Sequence, residues 1–236
     1  MMIKTVLFDL DGTLLPLDQD YFIECYFKSM ARAMSVHGYE PKAFMKAVLK
    51  GTAAMAMNDG RETNEEALWR SFNDSYGRDT RGDEPLYVQF YETDFQKLKD
   101  VCGFHPMAAE LVRMLREEGR CVILATNPMF PPVATYSRLR WAGLEVEDFD
   151  LITTYDNSCH SKPNPAYYRD ILETMHLKAE ECLMVGNDVD EDMIAESLGM
   201  KVFLLTDCLL NCKNKDISAY PQGGFPELLA YIRSLL

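Results

Sequence analysis

Five strand-length apolar runs, separated by helix-length stretches, constrain this chain most. They are "IKTVLFDL" at 3–10, "RCVILAT" at 120–126, "FDLITTY" at 149–155, "ECLMVGN" at 181–187 and "KVFLLTD" at 201–207. None alternates cleanly between apolar and polar residues. Strands covered on both faces of a parallel sheet read this way. Amphipathic patterns fill the gaps: "PMAAELVRMLREEGR" stopping at Gly119, "PAYYRDILETMHL" opened by Pro165, "DEDMIAESLGM" stopping at Gly199, and a final "FPELLAYIRSLL". Proline near a helix start and glycine past its end are the expected punctuation. The rhythm predicts an α/β fold with a doubly wound parallel sheet.

The rhythm fails over residues 17–101, where only helical patterns occur. "YFIECYFKSMARAMSVHG" runs to Gly38, "PKAFMKAVLKG" from Pro41 to Gly51, and "EPLYVQFYETDFQKL" opens at Pro85. "TNEEALWRSF" starts with Thr63 and Glu66 at the spacing of a capping box. An ordinary crossover needs only a dozen or more residues. The excess predicts an all-helical subdomain over 17–101, inserted into an α/β core made of 1–16 and 102–236.

Charge narrows the partners. Lys and Arg number 24 against 37 Asp and Glu, a formal net charge of −13. So acidic a surface argues against nucleic acid or an anionic membrane as the main partner. A small anionic substrate remains compatible, because a local cation can reverse the field inside a cleft. No apolar run is long enough to span a bilayer. The start of the chain leaves no room for a signal peptide before the first strand. The 7 cysteines are scattered without framework spacing. These features predict reduced thiols and a cytoplasmic location.

Ligands of open α/β sheets bind beyond the carboxyl ends of the strands. The residues placed there are Asp9 and Asp11, then Thr126 and Asn127, then Lys162 in "SKPNP", and finally Asn187, Asp188 and Asp192 in "GNDVDED". Two aspartates at the end of a buried strand repel each other and need compensation. A hard divalent cation such as Mg²⁺ supplies it, using a few oxygen ligands plus waters and a substrate phosphate. Asp9, Asp188 and Asp192 suit that ion, with the backbone carbonyl of Asp11 as a further ligand. Lys162 can neutralise a phosphate or a neighbouring aspartate. Thr126 can donate to a phosphate oxygen. One carboxylate can attack phosphorus and the other can protonate the leaving oxygen.

"DLDGT", "ATN", "SKPNP" and "GNDVDED", in that order, resemble the four motifs of the haloacid dehalogenase (HAD) superfamily. A helical insert directly after the first motif resembles its C1-cap subgroup. The resemblance implies a HAD-like Rossmannoid core and a Mg²⁺-dependent phosphatase for a small phosphorylated metabolite. It casts Asp9 as nucleophile and Asp11 as general acid, then base. Thr126, Asn127 and Lys162 would contact the phosphoryl group, and Lys162 would also stabilise the nucleophile. Asp9, Asp11, Asp188 and Asp192 would serve the metal. An aspartate at position 11 favours phosphate esters over carbon–halogen bonds within that superfamily.

The fourth motif departs from the common Gly-Asp start, since Asn187 follows Gly186. Asn187, Asp188 and Asp192 therefore all stay open as metal ligands. The second motif runs into "MFPP", a proline-rich loop facing the cleft. Lys50, Asn58 and Arg61 are the polar residues of the insert placed to reach a ligand. Residues 12–18 and 101–105 are its hinges, and His105 has a structural part. A phosphomutase acting on a sugar phosphate fits the same motifs. A non-catalytic phospho-receiver is the alternative from a different class.

Overall fold

A computed structural model of the chain describes residues 2–236. Six parallel strands form one sheet in the order β3-β2-β1-β4-β5-β6. They are β1 (Thr5–Phe8), β2 (Cys121–Leu124), β3 (Leu151–Ile152), β4 (Cys182–Gly186), β5 (Lys201–Leu205) and β6 (Gln222–Gly223). Every residue of β1 and β4 is buried. The central pair is in register from Thr5 opposite Cys182 to Phe8 opposite Val185. On the other side of β1, Phe8 lies opposite Leu124 of β2.

Side chains of a strand alternate between faces. Val6, Phe8, Val122, Leu124 and Val185 enter one apolar cluster. Leu7, Ile123 and Met184 enter another, on the opposite face. Both faces are therefore dry, which is why the runs lack polar alternation. The first face is covered by α5 (Pro106–Glu117), α8 (Phe225–Leu235) and the helices that follow β1. The second is covered by α7 (Pro165–Thr174) and a 3₁₀ segment, Met193–Leu198.

Between β1 and β2 lie α1 (Gln19–Ser35), α2 (Pro41–Ala56), α3 (Asn64–Tyr76), α4 (Glu84–Glu92) and a 3₁₀ segment, Asp94–Val101. Asp18 caps α1 by accepting from the Tyr21 amide at 3.0 Å. The capping box of α3 is present in both directions between Thr63 and Glu66. Aromatic rings pack these helices together and onto the α/β core. Phe95 stacks on Trp141 with ring centres 5.3 Å apart. Fully burying such a side chain contributes about 1.5–3 kcal/mol.

Several boundaries differ from the sequence expectation. Helix α2 runs through Gly51 to Ala56. Gly51 is a packing site, since a Cβ there would stand 2.4 Å from Leu68 Cδ1 of α3. Helix α1 ends at Ser35, short of Gly38. The pattern opened at Pro85 breaks at Thr93, where φ is −120° and ψ is −83°. The stretch before Gly199 is 3₁₀ rather than α. β3 is only two residues long and β6 was not anticipated. Part of the proline-rich "MFPP" stretch opens α6 (Pro132–Trp141), a helix with little apolar periodicity. His105 stacks on Phe225 with ring centres 4.2 Å apart. No helix among the described residues is long and apolar enough to cross a membrane.

Candidate active site

Parallel pairing brings the ends of β1, β2 and β4 to one edge. The Asp9 amide donates to Val185 O at 2.9 Å, and the Ala125 amide donates to Phe8 O at 2.7 Å. Asp9, Asp11, Thr126, Asn127, Asn187, Asp188 and Asp192 consequently line one small polar cleft. Lys162 enters from the loop before α7, only 2% exposed.

The Lys162 ammonium is the hub. Its Nζ donates to Asp9 Oδ1 at 2.9 Å and to Asp192 Oδ1 at 2.7 Å. Burial disfavours its charge, but Asp192 and Asp9 outweigh burial and hold its pKa well above the ordinary lysine value. Desolvation that penalises an isolated ion is offset when opposite charges lie in contact. Both oxygens of Asp192 are engaged, because its Oδ2 accepts from the Asp188 amide at 3.0 Å. Gly186 makes room for this carboxylate, since a Cβ there would meet Asp192 Oδ2 at 2.1 Å.

Asp188 takes a different arrangement. Its Oδ1 accepts from the amides of Asp190 and Glu191 at 2.7 and 2.8 Å. Asn187 is occupied as a latch. Its Oδ1 accepts from Thr13 Oγ1 at 3.0 Å and its Nδ2 donates to Cys208 O at 2.7 Å. Thr13 also reaches Asp9 Oδ2, at 3.4 Å. Gly12 sits above the latch with φ of +82°, and a Cβ there would lie 2.3 Å from Asn187 Nδ2. Only glycine meets both demands without strain.

Asp11 is paired with Arg138 of α6, a side chain with no exposure. The guanidinium lies over the Phe130 ring, 4.2 Å from its centre. Burial raises the Asp11 pKa, Arg138 pulls it down, and Asp9 adds to the rise. Asp11 Oδ1 and Asn127 Oδ1 are both buried without a hydrogen-bond partner. Asn127 Nδ2 donates to Glu191 Oε2 at 3.0 Å. Burial pushes the Glu191 pKa up to about 8, against the pull of Lys162. The Thr126 carbonyl is pinned by Thr153 Oγ1 at 2.7 Å and the Tyr167 hydroxyl at 2.9 Å.

The helical insert is tied to this edge through Asn64, which is fully buried. Its Nδ2 donates to Ser161 Oγ at 3.1 Å, and its Oδ1 accepts from Asn58 Nδ2 at 2.9 Å. Ser161 Oγ also donates to Met55 O at 3.2 Å. Asn58 is therefore a structural tie rather than a ligand contact. Lys50 is exposed, and Arg61 is exposed and paired with Asp59. None of these three residues lines the cleft.

Sequence reasoning brought together the residues at strand ends, Thr13 among them without a role, but missed Arg138 and Glu191. Thr13 and Glu191 stand inside the quoted motifs and needed only their pairing. Arg138 lies in a helix with little apolar pattern, and in its buried place it donates to Ala134 O and Thr135 Oγ1 besides Asp11.

The structure thus presents a doubly wound parallel core with carboxylates and a lysine converging beyond its central strands. A haloacid dehalogenase-like hydrolase family model matches residues 3–196. The chain belongs to that family. It is 26% identical over 201 residues to the pyrophosphatase PpaX of Bacillus cereus (strain ATCC 10987 / NRS 248), covering 85% of this chain and 82% of the relative. It shares the fold of a HAD phosphatase from Thermococcus onnurineus, with a TM-score of 0.61 at 20% identity over 98% of both chains. It also shares the fold of YfnB from Bacillus subtilis, solved bound to magnesium, with a TM-score of 0.57 at 20% identity over 99% of this chain and 100% of that one.

Proposed function

We propose that the protein is a Mg²⁺-dependent phosphatase that hydrolyses a small phosphorylated metabolite through an aspartyl-phosphate on Asp9. The observation that supports this most is the Lys162 bridge. It neutralises Asp9 from one side, at 2.9 Å from Oδ1, and leaves Oδ2 with only a long contact to Thr13.

The donor set suits magnesium. No group of three or more acidic, histidine or cysteine side chains among the described residues forms a ready-made metal cage. Magnesium needs no such cage, since it is typically bound by one or two carboxylates with waters and a substrate phosphate. Asp9 and Asp188 are the carboxylates with oxygen to offer, and the Asp11 carbonyl is the third protein ligand. Asp192 is assigned instead to anchoring Lys162, because both its oxygens are engaged. Bound there, the ion would neutralise phosphate charge and align the phosphoryl group.

The protein's own residues then divide the chemistry. Asp9 Oδ attacks phosphorus while the bond from phosphorus to the ester oxygen breaks. Asp11, protonated, gives its proton to that oxygen, so the product leaves as an alcohol. Asp11, now a carboxylate, takes a proton from water, which attacks the aspartyl-phosphate and releases inorganic phosphate. Lys162 and Thr126 stabilise the transferring group throughout. The helices of residues 17–101 act as a cap that excludes water and selects the substrate, hinged at 12–18 and 101–105. The uncatalysed reaction is slow enough that these parts together must remove ~20 kcal/mol of barrier.

The test is phosphate release over a panel of phosphorylated metabolites with Mg²⁺, beside the Asp9→Asn variant. The variant should keep its fold and lose at least ~10³-fold in kcat. Equal activity in the two proteins would remove Asp9 from its role. Isomerisation of a sugar phosphate without phosphate release would make the enzyme a phosphomutase.

A further inference from the structure

Next to the polar cleft lies a second cavity, of about 200 Å³, roofed by the helical insert. The two share Asp11, Gln19 and Asn127 in their walls. A phosphoryl group seated on Asp9 would therefore direct its ester substituent into this second space. Its walls include Tyr26, Phe27, Trp69, Phe72 and Phe130. Asp11, at the junction, is the only charged residue in its lining among the described residues.

We propose that the cavity receives an apolar, ring-sized leaving group, so that the substrate is a phosphate monoester of an aromatic or branched alcohol. This rests on the phosphatase reading above. Size, polarity and the junction agree. An apolar cavity of ~150 Å³ accommodates a benzene ring. A second phosphoryl group would bring two negative charges that need a cation or several donors, and the lining supplies no Lys, Arg or His. Away from the mouth, Trp69 Nε1 and the Tyr87 hydroxyl are the buried wall atoms without partners, too few for the several hydroxyls of a sugar. The hydroxyls of Tyr26 and Tyr91 bond each other at 2.9 Å. Thr52 Oγ1 donates to Val48 O at 3.1 Å.

Two of the unpartnered atoms lie at the mouth, where the ester oxygen of such a substrate would sit. Asp11 Oδ1 and Asn127 Oδ1 are buried without partners, on residues that line the mouth between the two spaces. The alcohol released would donate its new hydroxyl to Asn127 Oδ1. The cavity thus separates this chain from what the name of its PpaX relatives suggests, since pyrophosphate has no apolar part to bury.

The experiment compares kcat/KM for phosphate release from benzyl phosphate, methyl phosphate, glucose 6-phosphate and pyrophosphate. Benzyl phosphate should exceed each of the others by at least ~10-fold. Ile23→Asn, a polar change in a half-buried wall position, should lower the benzyl-to-methyl ratio ~10-fold. In parallel, benzylphosphonate, which cannot be hydrolysed, should raise the melting temperature of the wild-type protein more than imidodiphosphate does. Faster turnover of pyrophosphate or glucose 6-phosphate would overturn the inference and leave the phosphatase standing. Benzylphosphonate binding with no phosphate release from any ester would do the reverse. The absence of both benzylphosphonate binding and a benzyl preference would refute the cavity's assignment.

Discussion

Arg138 reaches from the buried face of α6 to close its guanidinium on the Asp11 carboxylate. The contact joins a helix core to the loop that follows β1. Removing one partner of a buried pair leaves the other charge stranded. Arg138→Met should destabilise the protein by about 3 kcal/mol. Adding Asp11→Asn should restore part of that loss. Urea unfolding of the wild type, both single variants and the double variant gives the coupling. Strictly additive costs would show that the pair does not act as a unit.

Lys162 predicts a pH signature. Its folded pKa is raised above the lysine value of ~10.4 expected in the unfolded chain. A raised folded value contributes stability that is complete below the unfolded pKa and is lost as pH climbs through the folded one. The stability gap between wild type and Lys162→Met should be widest near neutrality and shrink above pH ~10.4. Chemical denaturation at stepped pH measures it. A gap that widens with alkalinity would contradict a charged Lys162.

Metal removal should discriminate between two aspartates. EDTA should stop phosphate release and added Mg²⁺ should restore it. Asp188→Asn should raise the half-saturating Mg²⁺ concentration by ~10-fold or more. Asp192→Asn should chiefly lower kcat, because Lys162 loses the charge of its 2.7 Å partner and the amide group cannot accept from both Lys162 and the Asp188 amide. If Asp192→Asn shifts the Mg²⁺ requirement and Asp188→Asn does not, the ligand roles are exchanged.

Gly12 offers a packing test. Alanine there meets both the positive φ and the Asn187 amide. Gly12→Ala should cost about 1–3 kcal/mol. In an Asn187→Ala background the cost should fall toward ~1 kcal/mol, the backbone part alone. Thermal unfolding of the four proteins resolves the two contributions. An equal cost in both backgrounds would exclude the clash.

The sheet was legible because burial on two faces leaves its mark on every residue of β1 and β4. The strand-end residues were legible because a parallel sheet collects them at one edge. What escaped notice depends on tertiary context. Gly51 reads as a helix stop until α3 is seen to need its missing side chain. Arg138 reads as a surface arginine, two positions from Arg140, until its helix is turned against Asp11. Asp188 and Asp192 look interchangeable in "GNDVDED", and only hydrogen-bond directions separate them.

The Asn64 tie bears on tempo. Its amide group grips Asn58 from the insert and Ser161, the neighbour of Lys162. On the phosphatase reading, a cover fastened to the residue beside Lys162 would have to break an inaccessible amide's contacts each time it lifts. The slow beat of the cycle would then fall on egress rather than on cleavage.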